Sequence, residues 1–242
     1  MSHSTHSYTE SDITTILSII QSEKSNSPTN IFSQLIDILQ SENTVLLRSQ
    51  VFQVKEIAAV LLAEANPRTM TQVLELTTAF IQQYHDFIHD WLFILLKHIL
   101  KISSNLDAKQ QMSNQLSTTQ KRLLRTTHAI KSKFPVKSQF EAISEYLTGK
   151  SQVLDAKLKY TVLRYLTEIV SPLEKDLQVY GSSGEGLNLE DLVVSTFSKI
   201  LDISNTDRSS DVRMMADRCF IRFFKANPAK HQKLFQKMDT VS

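Results

Sequence analysis

Glycine and proline are scarce in this sequence, at four and five of 242 residues. Sheets need tight turns and turns draw on glycine, so the shortage points to helices. Long alternating Val/Ile/Thr segments are also missing, which leaves a sheet without support. A single cysteine, Cys219, excludes an intramolecular disulfide and any cysteine-based zinc site. Within CFIRFF it reads as a buried structural thiol, and the composition fits a reducing cytosol. The opening MSHSTHSYTE has no apolar core and does not resemble a secretory signal. A bilayer span needs about 20 apolar residues; the most apolar run here, Trp91 to Leu96, falls far short, so no membrane insertion is expected. Net charge is +2, too small to drive nucleic-acid binding by itself.

What is present is helical periodicity. The segment from Asp86 to Lys101, DFIHDWLFILLKHILK, reads as one core helix, apolar nearly all round. Before it, Asp12 to Gln21 and Thr29 to Leu39 form a hairpin around Ser25 to Pro28. Helices then follow over Thr44 to Ala65 and from Val73 to Tyr84. After it come a long polar helix from Asp107 to Lys133, with apolar positions including Leu123 and Leu124, and a helix from Val136 stopped by Gly149 in a left-handed conformation. Asp155 to Val170, Leu189 to Ile203, Asp211 to Phe224 and Pro228 to Met238 complete a count of about eleven. Gln178 to Asn188 is the best candidate for a flexible loop. The expectation is all-α: one domain over 11–238 between a tail at 1–10 and a short end at 239–242, built as an α-solenoid of HEAT repeats.

Four connections share a pattern of a capping residue, a small or apolar residue, and a base: Asn66-Pro67-Arg68, Asp107-Ala108-Lys109, Asp155-Ala156-Lys157 and Asp211-Val212-Arg213. Their spacing of roughly 40 to 55 residues is near the HEAT period. Asparagine and aspartate satisfy orphan amides at a helix start. A cation in the first turn opposes the helix dipole at a cost of a few tenths of a kcal/mol, so something must offset it. Two readings stand side by side: each base pairs with an aspartate of the adjacent repeat, or the bases line one edge and meet an acidic partner. Lys24, Lys150, Lys159 and Arg208 add charge to the same edge.

The segments HDFIHDWLFILLKHILK, LDAKLKYTVLRYLTEIV and SSDVR resemble a TOG domain of the CLASP (CLIP-associating) microtubule regulators, the third such domain most of all. The resemblance covers roughly Val45 to Met238. It implies a TOG-type paddle of HEAT repeats, non-catalytic and without cofactor, at the cytoplasmic cytoskeleton: microtubules, spindle and kinetochore. The implied partner is tubulin or the microtubule lattice, contacted through basic loop residues that Arg68, Lys109, Lys157 and Arg213 match by position; Lys24, Lys159 and Arg208, on the same charged edge, complete the expected contact set, with the isolated domain a monomer. Tubulin-capturing TOG domains generally carry a tryptophan in the first repeat's loop, whereas Trp91 is the only tryptophan here, which favours lattice binding over capture of free tubulin. A HEAT scaffold that binds an adaptor protein is the alternative.

Other motifs carry less. His85 and His89 stand four apart, a zinc spacing on a helix, but no third ligand accompanies them. GSSGEG lacks the lysine and the strand-to-helix setting of a phosphate cradle. The basic face with Lys121, Arg122, Arg125, Lys131 and Lys133 reads as a solvated helix face, without the interleaved aromatics that nucleic acid would want. Phe220, Phe223 and Phe224 are spaced as a buried stripe.

Overall fold

The computed structural model describes residues 8–27, 29–41, 44–107, 117–149, 154–170 and 186–226. All regular structure among them is helical. In chain order the helices are α1 (Glu10–Glu23), α2 (Thr29–Gln40), α3 (Arg48–Glu64), α4 (Met70–Tyr84), α5 (Leu92–Asp107), α6 (Thr118–Lys133), α7 (Val136–Thr148), α8 (Ala156–Ile169), α9 (Gly186–Thr206) and α10 (Ser210–Ala226). Local chemistry sets several starts. Thr9 and Asp12 form a reciprocal capping box at α1, as do Ser117 and Gln120 at α6. Asp155 accepts the Leu158 N–H at 2.8 Å and caps α8, as expected.

The chain divides into two compact units, the first from Met1–Ile99 with Met112–Phe134, the second from Leu100–Gln111 with Pro135–Ser242. In the first, hairpins α1/α2 and α3/α4 stack so that α2, α4 and α6 lie side by side while α1 packs on α3. In the second, hairpins α7/α8 and α9/α10 stack with α8 against α10 and α7 against α9. Hairpin on hairpin is the HEAT-type arrangement. Contacts between stacked second helices, and from α8 to the loop that leads into α10, fix the period: Thr71 with Thr119, Thr78 with Thr126, Thr167 with Met215 and Lys159 with Asp207 are each 48 residues apart.

Each unit has its own apolar interior. Phe32, Phe80 and Trp91 are buried in the first, with Phe80 edge-on to Trp91 at 6.1 Å between centroids. Phe140, Phe197 and Phe223 are buried in the second, where Phe197 stacks on Phe223 at 3.9 Å. Phe224 joins that cluster as the spacing predicts, and Phe220 is partly exposed beside it.

Several expectations need correction. The apolar segment at 86–101 is not one helix: two 3-10 turns, His85–Phe87 and His89–Trp91, precede α5, and Ile88 between them has φ −126° and ψ 22°. That break lets Ile88 and Trp91 both bury while Phe87 stays 67% exposed. Nor is α5 apolar all round in its setting, because Ile94 faces solvent while Leu92, Leu95, Leu96 and Ile99 are buried. The long polar helix does not start at Asp107, which is the last residue of α5; the described polar helix is α6, opened by Ser117. In α6 the buried positions are Gln120, Leu123, Thr126, Ala129 and Ile130, and Leu124 is exposed.

Gly149 does follow α7, but at φ −59°, so its conformation is not left-handed. Glycine is needed there for closeness: a Cβ would sit 2.7 Å from the Glu145 carbonyl oxygen. The left-handed stop belongs to Ala65 after α3, at φ 48° and ψ 39°. The loop expected over Gln178 to Asn188 lies outside the described residues as far as Glu185, and the chain is helical from Gly186. The helix expected over Pro228 to Met238 also lies outside them.

Candidate partner-binding loops

Helix pairing within a hairpin brings one loop per hairpin to the start of α2, α4, α8 and α10. Lys24 closes α1 at φ 50° and ψ −126°, and its N–H donates to the Ile20 carbonyl. Its exposed side chain borders a cleft of about 320 Å³ floored by Ile20, Ile57 and Leu61, with Glu56 on the opposite wall. In the α3/α4 loop the left-handed Ala65 turns the chain, and Asn66 then organises it. The Asn66 side-chain oxygen accepts the Arg68 N–H at 3.0 Å, and its carbonyl accepts the Met70 N–H at 3.0 Å. Asn66 is therefore a turn former and not the helix cap that the shared pattern suggests. Arg68 stands ahead of the helix, exposed, so the dipole penalty does not arise, and it makes no ion pair with any described residue.

The second unit uses its bases differently. Lys157 lies in the first turn of α8, exposed and without an ion pair among the described residues. Two positions on, Lys159 Nζ donates to Asp207 Oδ2 at 2.6 Å. The Asp207 side chain is only 8% exposed. Its other oxygen accepts the Ser209 N–H at 2.9 Å. Arg213 Nη1 closes the same loop by donating to the Asp207 carbonyl at 2.7 Å and the Arg208 carbonyl at 3.3 Å. The Lys159 ammonium, then the Ser209 amide and Arg213, hold the Asp207 carboxyl below its ordinary value against the opposing effect of burial. Ser209 accepts the Val212 N–H at 3.5 Å, so Ser209, and not Asp211, faces the open start of α10; Asp211 is exposed within its first turn.

The sequence-derived set thus falls into distinct environments. Lys24, Arg68, Lys157 and Arg208 are exposed loop or helix-start cations. Lys159 and Arg213 are engaged inside the α9/α10 loop. Lys109, like Lys150, lies outside the described residues. Sequence reasoning did not single out Asp207, the residue that organises this loop. The signal was its spacing of 48 residues from Lys159, the same as that of the threonine pairs in the first unit.

Other reactive groups are quiet. His85 and His89 sit in separate 3-10 turns and not on one helix, and His89 packs edge-on against Phe134 at 5.7 Å. Among the described residues no three metal-ligating side chains converge. Cys219 is fully buried and its thiol is pushed up to about 12, which makes it a packing residue rather than a nucleophile. Tyr165, raised further by burial, donates to Gln139 Oε1 at 2.7 Å in the second unit's interior.

No protein-family model matches the chain. CLIP-associating protein 1 of Xenopus tropicalis is 25% identical over 194 residues, which is 80% of this chain and 12% of that protein. The CLIP-associating protein of Drosophila melanogaster is 19% identical over 196 residues, again 80% of this chain and 12% of that protein. The chain thus spans about an eighth of the length of the curated relatives it matches. A solved structure from work on TOG–tubulin binding specificity shares 16% identity and a TM-score of 0.44, covering 95% of this chain and 89% of that one. The similarity first read from the DWLF segment and LDAKLKY is one of homology: over 80% of its length this all-helical chain is related in sequence to the CLIP-associating proteins.

Proposed function

We propose that the chain is a non-catalytic TOG module of CLASP type, most like the third such domain, that binds tubulin or the microtubule lattice. The observation that carries this is the set of exposed cations Lys24, Arg68, Lys157 and Arg208, without an ion pair among the described residues, at the loops that join helices within hairpins, in a chain homologous to the CLIP-associating proteins. An acidic protein surface would be recognised there by charge, without cofactor or covalent chemistry. In this reading residues 11–238 act as one module, monomeric in isolation. It sits in the cytoplasm on microtubules, at spindle and kinetochore.

Co-sedimentation of the full chain with microtubules at about 50 and about 200 mM NaCl, beside gel filtration with free tubulin, tests it. Binding that weakens several-fold at the higher salt supports the loop reading; absence of binding to both forms ends it. The second reading, an adaptor-binding HEAT scaffold, is favoured by a different observation. In the first unit Val45 is 82% exposed, Phe87 67% and Phe52 57%, on the side of the connections between hairpins. Salt-insensitive binding that survives reversal of the loop charges would favour it.

A further inference from the structure

The first unit holds a groove that the loop reading does not use. It lies along α4 and α6, encloses about 530 Å³, and is lined by Glu75, Thr78 and Gln82 on one side and Arg122, Arg125 and His128 on the other, with Lys133 at its far end. The groove begins five residues into α4, about 7.5 Å beyond the Arg68 loop at 1.5 Å per residue. It is therefore set back from the loop edge.

We propose that this groove binds an acidic peptide segment of about five residues in extended form. Its lining has one carboxylate, Glu75, and Arg122 Nη1 already neutralises it at 2.9 Å. Arg125 and Lys133 are exposed and make no ion pair among the described residues. Nothing nearby in sequence offsets them, since α6 contains no aspartate or glutamate and the chain has none from Ala108 to Phe140. The helix dipole accounts for Lys131 and Lys133 in the last turn. It does not account for Arg122 and Arg125 in the middle of α6.

Between the cations the lining is mixed: Ala79 and Ala129 lie buried at its base, Thr78, His128 and Ser132 add polar groups, and Leu124, which the helical pattern assigns to the core, is 57% exposed at the rim. Carboxylates held by guanidinium groups and aliphatic side chains laid on Leu124 suit a peptide of mixed acidic and apolar residues. No Phe, Tyr or Trp lines the groove, so a single imidazole, His128, is all that bases would find to stack on. From Arg122 to Lys133 the helix rises about 16 Å, which an extended peptide covers in about five residues.

Fluorescence anisotropy with the full chain and a labelled peptide alternating glutamate and leucine tests this. Saturable binding is expected, weakening several-fold between about 50 and about 200 mM NaCl. Arg125→Glu and Lys133→Glu should each reduce affinity about tenfold or more. Arg48→Glu, a reversal at the exposed start of α3, should leave it within about twofold. Leu124→Ser should weaken the alternating peptide but not an all-glutamate one. Should a reversal fail to fold by circular dichroism, Arg125→Gln and Lys133→Gln carry the same comparison. The proposal is overturned if no saturable binding occurs, if the α6 variants bind as wild type does, or if an oligothymidylate of equal charge binds more tightly than the peptide.

Discussion

Both units carry contacts at the same 48-residue spacing; those of the first are neutral, whereas the second pairs a neutral contact, Thr167 on Met215, with an ionic one at the loop end. In the first, Thr71 meets Thr119 at 3.0 Å and Thr78 meets Thr126 at 2.9 Å, neutral hydroxyl pairs, of which Thr78 and Thr126 also bond carbonyls of their own helices. In the second, the equivalent spacing carries Lys159 to Asp207, an ion pair at 2.6 Å with the carboxylate buried. The loops differ to match. Both positive-φ residues among the described ones, Lys24 and Ala65, fall in the hairpin loops of the first unit, where Lys24 and Arg68, like Lys157 and Arg208 in the second, make no ion pair with a described residue. In the second unit the α9/α10 loop is tied from within by Lys159 and Arg213. A basic residue near a hairpin loop is thus a free surface charge or an internal tie: Lys159 is tied by a carboxylate one repeat away, Arg213 by the carbonyls of the loop it follows. In the proposed reading, that division separates contact residues from structural ones.

The comparison can be broken hardest at the second unit's interior. Phe223 is fully buried and stacked on Phe197, so Phe223→Ala should cost about 3–5 kcal/mol, read from the urea midpoint. Next in size is the tie itself. Asp207→Ala removes the Lys159 and Ser209 bonds and should cost about 1.5–3 kcal/mol, the range for hydrogen bonds to charged groups. Because the Asp207 carboxyl is held below its ordinary value in the folded chain, its contribution is present above about pH 4 and disappears as pH falls through the lowered folded value. The stability gap between wild type and Asp207→Ala should therefore narrow on acidification. The neutral pair gives the contrast: Thr78→Val in the first unit should cost about 0.5–1.5 kcal/mol with no dependence on pH between about 3 and 7 beyond that of wild type. The smallest effect is a gain. Ala65→Gly relieves a left-handed alanine and should stabilise by about 0.5–1 kcal/mol, checked by thermal melting.

Most of the helices were legible because burial follows period: α1 to α4 and α7 to α10 fall where apolar spacing puts them. What spacing does not carry is where backbone regularity fails. Ile88 and Trp91 fit a helical stripe on paper, yet two 3-10 turns bury them, because the chain turns the corner from α4 to α5 at that point. Local words mislead in the same way. The tetrapeptide LDAK opens α8 at Leu154, but at Leu106 its aspartate is the final residue of α5. A capping residue helps a helix start without dictating one when the apolar register of the preceding helix continues to Ile102. The loop cations were legible as residue types. Their division into free and tied was not, because it depends on Asp207, which is 48 residues from Lys159 and holds Arg213 through its backbone carbonyl.

The most direct test of that division is microtubule co-sedimentation of folded charge reversals from the two classes, with urea midpoints measured on the same samples. Arg68→Glu and Lys157→Glu should lower microtubule affinity about tenfold and leave the midpoint unchanged, whereas Lys159→Met should lower the midpoint and leave affinity within about twofold. Loss of affinity in Lys159→Met with full binding by Arg68→Glu and Lys157→Glu would contradict the account.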